Sequence, residues 1–392
     1  MSLDILHTPI EKLTQVDFDC ECGRHHTIRI GAIDIAPDAS KHVPALAEKY
    51  FAKGPVLVVC DCHTYEVLAK TVTEDLRAAG AQADCYIFPE QHLHPDAFAL
   101  GRLFIEASDE TKHYALLIAV GSGTLNDITR MVSGRLGLPY FIVGTAPSMD
   151  GYAGNSSPIV CRDTKMSFYS HYADAIVADT TILSQAPAKM LAAGLGDVLG
   201  KYVSLADWKL GESLKNEYRC EKISQFMANA VEKCAASAAA AAKRDPQAVG
   251  AMMEALVLAG MSMGLAGVTR PASGCEHHIT HYMDVKLIKS GLDYPLHGNS
   301  VGVSAIAMLR FYELARRDGL TKLETPPPAF VAEKIRAVGG PTDPAALGVT
   351  PELFHEALLN AMNLRPQYSM LKHVAAAGKL EEYTDIVMKE MC

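Results

Sequence analysis

Basic residues are in short supply. Lys and Arg number 36 against 45 Asp and Glu, a formal net charge of -9. Nucleic acid backbones call for clustered cations, so nucleic acid is not an expected partner. A small anionic substrate needs only a few local cations and is not excluded. A basic segment followed by an apolar run is missing from Met1–Gln15, so no signal peptide is expected. An unbroken apolar run of bilayer length is missing too. The longest, Met252–Val268, is interrupted by Glu254, Gly260, Gly264 and Gly267. It reads as too short and too broken to span a membrane, and no stable membrane insertion is expected. The 10 Cys are scattered without a secretory signal. Reduced thiols in a cytoplasmic protein are expected. No internal repeat is visible. What is there is ordinary globular material: 392 residues, 49% hydrophobic, enough for two domains with their own cores.

The two halves differ in pattern. Strand candidates fill the first: Pro55–Cys60, Asp84–Phe88, Tyr114–Val120, Tyr140–Val143 and Ala175–Ala178. Between the first two, Leu68, Val72 and Leu76 recur at helical spacing. Short apolar strands separated by amphipathic helices predict a parallel sheet covered on both faces. After about Gln185 such strands vanish. Helical segments follow: Ala188–Leu210, Glu221–Lys243, Pro246–Gly264, Val301–Arg316, Pro328–Val338 and Pro351–Met362. Asp245–Pro246 reads as an N-cap followed by proline at the first helical position. The expectation is an α/β nucleotide-binding domain over 1–180 and an all-helical domain over 181–392, with the ligand cleft between them.

Gly121-Ser122-Gly123-Thr124 directly follows the strand YALLIAV and precedes a helical run. Glycines there would permit positive φ and close approach of a ligand to the backbone. The free N–H groups of the helix start would cradle a phosphate. A plain strand-to-helix turn is the alternative. Asp61 ends an earlier strand, where a carboxylate can meet ribose hydroxyls or simply cap a helix. The order, acid first and Gly loop later, is not the usual dinucleotide fingerprint. A second loop, Gly144–Asn155, packs Thr145, Ser148, Asp150 and Asn155 at the sheet's carboxyl edge.

The most specific set comes later. Asp197 lies in a helical run, Glu276-His277-His278-Ile279-Thr280-His281 follows, and then Leu296-His297-Gly298. His277 and His281 share a helix face. A carboxylate with two imidazoles is a catalytic-metal set that leaves a position open for substrate. Cys20-Glu21-Cys22-Gly23-Arg24-His25-His26 looks like half a zinc site. No second CxxC or HxxxH follows at finger spacing, so a β-hairpin turning at Gly23 is the preferred reading.

With these residues assembled, the chain resembles the bacterial and archaeal glycerol-1-phosphate dehydrogenases. They sit within the glycerol dehydrogenase, iron-type alcohol dehydrogenase and dehydroquinate synthase-like superfamily. The resemblance runs nearly end to end. It is carried by VGSGTLNDITR (120–130), GTAPSMDGYAG (144–154), GLGDVLGKYVSLADWKL (194–210), SGCEHHITHYMD (273–284) and LHGNSVGV (296–303). It implies a dehydroquinate synthase-like fold, NAD or NADP as coenzyme, and one divalent metal, zinc first, with nickel or iron as alternatives. It implies interconversion of sn-glycerol-1-phosphate and dihydroxyacetone phosphate, and a homo-oligomer, dimer or larger. Gly121, Ser122, Gly123 and Thr124 would contact pyrophosphate, and Asp61 the ribose. Thr145 and Ser148 would lie beside nicotinamide, and Asp127 and Asp150 would face nicotinamide and substrate. Asp197, His277 and His297 would hold the metal. His281 is expected as proton relay or as an orienting group, with Asp150 beside it.

Two departures stand out. Iron-type relatives carry a fourth ligand, His, four residues after the Asp, where this chain has Lys201. The Gly loop has Ser122 where relatives often have a third Gly. Lys201, Lys165 and Arg162 are expected cations for a substrate phosphate, with a structural pairing to Asp197 the alternative for Lys201. The competing activities are a glycerol dehydrogenase acting on the unphosphorylated polyol and a dehydroquinate synthase-like cyclase.

Overall fold

The computed structural model describes residues 4–392; Met1–Leu3, the start of the segment read above for a leader, lie outside the described residues. The chain opens on an antiparallel hairpin of β1 (Gln15–Asp19) and β2 (His25–Arg29), with Val16 opposite Ile28 and Phe18 opposite His26. It turns at Gly23, whose φ of 81° only glycine adopts without strain. Next come β3 (Ile33–Ala36), β4 (Val56–Asp61), β5 (Ala83–Phe88), β6 (Leu116–Gly121) and β7 (Tyr140–Gly144). The strands β8 (Ser156–Cys161) and β9 (Thr164–Tyr169) follow, then β10 (Ala175–Asp179).

Six of these form one parallel sheet in the order β3-β10-β7-β6-β4-β5. The strands β6, β7 and β10 are buried along their whole length and β4 nearly so. That is why they read as continuous aliphatic runs rather than as alternation. The edge strand β3 escapes sequence reading because IDIA is short and only Ile33 is buried. The β8–β9 hairpin escapes it for another reason. Its turn is made by Arg162 and Asp163, at φ 52° and 55°, with no Gly or Asn to announce it.

The helix α1 (Gly123–Leu136) follows β6. The second half is built on α2 (Ala188–Lys215), α3 (Glu221–Ala241), α4 (Pro246–Ala266), α5 (Cys275–Lys289) and α6 (His297–Arg317). Asp245 caps α4 by accepting from the Ala248 N–H at 2.8 Å, with Pro246 at the first helical position. One expectation is corrected here. By length and composition α4 is long and apolar enough to cross a membrane. Its glycines are not interruptions but close-packing points. A Cβ at Gly260 would stand 2.9 Å from the Asp150 carbonyl oxygen, and one at Gly264 would stand 2.5 Å from the Tyr172 hydroxyl. With 78% of its apolar window buried, α4 is a core helix. The carboxyl ends of β4, β6 and β7 bring Asp61, Gly121 and Gly144 to one edge of the sheet.

Candidate active site

The Gly loop behaves differently from its sequence reading. Neither Gly121 nor Gly123 has positive φ. They are glycines for space: a Cβ at Gly121 would come within 2.3 Å of the Leu125 side chain, and one at Gly123 within 3.2 Å of Met149. Ser122 is the N-cap of α1 and makes no side-chain capping bond, so the first N–H groups of the helix are open to an anion. The Thr145 N–H donates to the Gly121 carbonyl at 3.0 Å, tying the second loop to the first. Ser122, Gly123, Thr124, Asp127, Ser148 and Asp150 line a cavity of about 1010 Å³. Gly121, Thr145 and Asp61 are not among its lining residues. The Asp61 Oδ1 accepts from the N–H groups of His63 (3.0 Å) and Thr64 (2.7 Å), forming a capping box with the Thr64 hydroxyl.

The same cavity reaches His277, His281 and His297. Helix–helix contact explains how. A Cβ at Gly196 would lie 2.4 Å from the Gly298 carbonyl oxygen, and one at Gly298 only 1.9 Å from that of Ala193. The helices α2 and α6 therefore cross at near backbone contact, which sets Asp197 of α2 beside His297 at the start of α6. One donor atom each from Asp197, His277 and His297 lie within 4.8 Å of one another.

These residues fit a divalent metal. The His277 Nδ1 is 2.6 Å from Glu276 Oε1, which also accepts the Gly274 N–H at 2.8 Å. That contact holds the proton on Nδ1 and turns Nε2 toward Asp197 Oδ1, 3.7 Å away. Burial, with Lys201 adding to it, lowers the His277 imidazole to about 4. Burial, helped by His277, lowers His297 to about 3. Both rings are therefore neutral at pH 7, the form that binds metal. Among the described residues, the buried His297 Nδ1 has no hydrogen-bond partner.

Lys201 does not face the cavity. It is 0% exposed, with Nζ 2.5 Å from Asp197 Oδ1 and 2.6 Å from Asp150 Oδ2. Burial would lower its ammonium, but the two carboxylates outweigh that and hold it above its ordinary value. It is paired as the alternative reading has it, and it lies outside the cavity lining. Arg162 sits in the β8–β9 turn, away from the cavity lining. Lys165 of β9 does line the cavity, with Nζ 3.2 Å from Asp284 Oδ2. Arg365 lines it as well, and no sequence motif marked it. His281 stacks on His297 at a centroid distance of 5.5 Å, and burial pushes its pKa well below the ordinary histidine value.

The open start of α1 faces His277 and His297 across one cavity, in a fold shared with an iron-containing alcohol dehydrogenase from Corynebacterium glutamicum, at TM-score 0.65 and 16% identity, covering 92% of this chain and 96% of that one. A family model described as iron-containing alcohol dehydrogenase matches residues 34–187. The fold is shared with a probable glycerol dehydrogenase from Sinorhizobium meliloti, at TM-score 0.68 and 17% identity, covering 91% of this chain and 98% of that one. It is shared too with glycerol dehydrogenase from Schizosaccharomyces pombe, at TM-score 0.67 and 19% identity, covering 91% and 90%. Sequence narrows the class. A glycerol-1-phosphate dehydrogenase [NAD(P)+] from Bacillus velezensis is 33% identical over 91% of this chain and 94% of its own length. One from Pyrococcus furiosus is 34% identical over 83% and 88%. The chain belongs to the glycerol-1-phosphate dehydrogenase family.

Proposed function

We propose that this chain interconverts sn-glycerol-1-phosphate and dihydroxyacetone phosphate by hydride transfer with NAD or NADP. The observation that carries the reading is one cavity lined by the open start of α1, by His277 and His297, with Asp197 buried just behind them, and by the cation Lys165. In this reading residues 1–180 serve chiefly as the coenzyme half and 181–392 as the metal and substrate half.

Asp197, His277 and His297 would hold the metal, and a carboxylate with two imidazoles makes zinc the first choice. The metal supplies Lewis acidity that makes the substrate hydroxyl more acidic or its carbonyl more electrophilic. The chain's own residues do the rest. The open N–H groups behind Ser122 bind the coenzyme phosphates, and Ser148 and Asp127 border the nicotinamide side. Asp61 ends the strand next to β6 and would meet the adenosine ribose. Glu276 fixes the His277 ring. His281, kept neutral by burial, accepts the proton of the substrate's C2 hydroxyl and returns it in the reverse direction. Asp150 is held by Lys201 and donates its own N–H to Asp197 Oδ2 at 3.0 Å, so it borders the substrate in a fixed orientation. Lys165 and Arg365 meet the substrate phosphate. The 10 free thiols suit a reducing, cytoplasmic setting.

Steady-state oxidation of NADH tests the proposal. Dihydroxyacetone phosphate should be reduced far better than dihydroxyacetone, with one coenzyme consumed per product. Near-equal kcat/KM for the two ketones would instead identify a glycerol dehydrogenase. Turnover without net coenzyme consumption would identify a cyclase.

A further inference from the structure

The hairpin motif that lacked a partner in the sequence has one in the fold. Cys20 and Cys22 stand in the β1–β2 turn, where the Gly23 N–H donates to the Cys20 carbonyl at 3.0 Å. His26 points inward from β2 and is 1% exposed. Cys220, fully buried, is the residue from which α3 starts, 200 positions downstream of Cys20. One donor atom from each of Cys20, Cys22, His26 and Cys220 lie within 4.8 Å of one another.

We propose that these four residues form a second metal site, a structural Cys3His zinc centre that fastens the N-terminal hairpin to the helical half of the chain. The spacing fits. Tetrahedral ligands at zinc–sulfur distances of about 2.3 Å and zinc–nitrogen distances of about 2.0 Å stand about 3.5–3.8 Å apart. The Cys20 and Cys220 sulfurs are 3.7 Å apart, within that range, and Cys22 Sγ is 3.2 Å from His26 Nε2, about 0.3 Å short of it. The imidazole is already oriented. Its Nδ1 is 2.7 Å from the Leu265 carbonyl of α4, so the proton sits on Nδ1 and Nε2 is the free donor facing the sulfurs. That outer contact is how metal-binding histidines are held.

The surroundings suit a centre whose three thiolates and one zinc ion leave one negative charge. The Tyr218 hydroxyl lies 3.6 Å from Cys22 Sγ, and the Arg24 guanidinium covers the Tyr218 ring at 3.3 Å. Cys220 sits at the N-terminal end of α3, where the helix dipole favours a thiolate. A Cys20–Cys220 disulfide is the competing arrangement. It would need the sulfurs at about 2.05 Å and would leave Cys22 and His26 without a role. Three thiolates select zinc over hard cations. None of the four residues lines the active-site cavity, so the centre is structural. It closes a loop of some 200 residues and ties down a two-stranded hairpin too small to be stable alone.

The test uses the full chain, loaded with zinc or cobalt under a phosphine reductant and then desalted. Wild type should hold about two zinc ions per chain, and His297→Ala and Cys220→Ser about one each. Cobalt-loaded wild type and His297→Ala should both show a thiolate-to-cobalt charge-transfer band, which an Asp-His-His site cannot give. Cys220→Ser should lose it. If Cys220→Ser does not fold, the band in His297→Ala decides the matter. Absence of that band in His297→Ala, or its persistence in a folded Cys220→Ser protein, overturns the proposal.

Discussion

Lys201 Nζ lies 2.5 Å from Oδ1 of Asp197, one helical turn earlier, and the side chains of both are wholly buried. The ammonium neutralises Asp150 as well as Asp197. Lys201→Met would leave the buried Asp197 carboxylate and the cavity-lining Asp150 carboxylate without their cation, at a cost of about 3–5 kcal/mol. The expected result is a lower thermal midpoint and equal loss of kcat/KM on phosphorylated and unphosphorylated ketones. A loss confined to dihydroxyacetone phosphate would return Lys201 to the substrate.

Glu276 is the residue that turns His277 toward the metal. Glu276→Gln keeps the shape but offers the imidazole a weaker partner. Loss of such an outer contact lowers metal affinity by about 10–100-fold. Competition with a chelator of known affinity should show that drop while circular dichroism stays unchanged. Unaltered affinity would mean the His277 ring is fixed by packing alone.

The fold, and the grouping of most candidate site residues around one cavity, were readable for separable reasons. The buried strands are continuous aliphatic runs, and the helices are long, so their existence is local information. His277 and His281 share a helix face by spacing alone. What could not be read depends on contacts between distant residues. Gly196 and Gly298 carry no local sign of their role, which is to let α2 and α6 touch. Gly121 and Gly123 look like positive-φ residues, yet they serve close packing. Lys201 carried two readings that only its burial separates. Cys220 and Arg365 have no local motif at all.

Asp61 combines a capping role with its place at the end of β4. Asp61→Ser separates the two, because serine caps a helix nearly as well and the start of the helix should cost only a few tenths of a kcal/mol. If the other carboxylate oxygen meets the ribose, the variant should shift preference toward NADP by about tenfold or more. The ratio of kcat/KM for NADH and NADPH measures it. An unchanged ratio with unchanged stability would remove Asp61 from the coenzyme site.

Asp127 gives a pH dependence. Burial raises its carboxyl from 3.8 to about 7, against the opposing pull of Arg130. Arg130 also serves Tyr140 and the Gly151 and Ser156 carbonyls, so it only partly offsets the burial. Between pH 3.8 and about 7 the folded chain therefore holds this proton more tightly than the unfolded chain. Stability from this group is full below that window and is lost as pH rises through it. Asp127→Asn, which can still accept from Arg130, should match wild type at low pH. It should be the more stable protein at pH 8, read as thermal midpoints of the coenzyme-free forms. A gap that does not grow with pH would show Asp127 to be ionised in the folded state throughout.

Lys165 bears on substrate choice most directly. Its Nζ is 3.2 Å from Asp284 Oδ2, its side chain is 11% exposed, and it lines the cavity that holds the histidines. One carboxylate uses one of three N–H donors, which leaves capacity for a phosphate oxygen. Burial would lower this ammonium, yet Asp284 and its neighbours hold it above its ordinary value, so it is charged whenever substrate arrives. A charge-assisted contact made in a dry cavity is worth about 1.5–3 kcal/mol, or roughly 10–150-fold in kcat/KM. Lys165→Met should lose that factor on dihydroxyacetone phosphate and much less on dihydroxyacetone. Lys165→Arg, which keeps the charge, should recover part of it. If Lys165 serves only to neutralise Asp284, both ketones will suffer alike, and the phosphate contact must then be sought at Arg365.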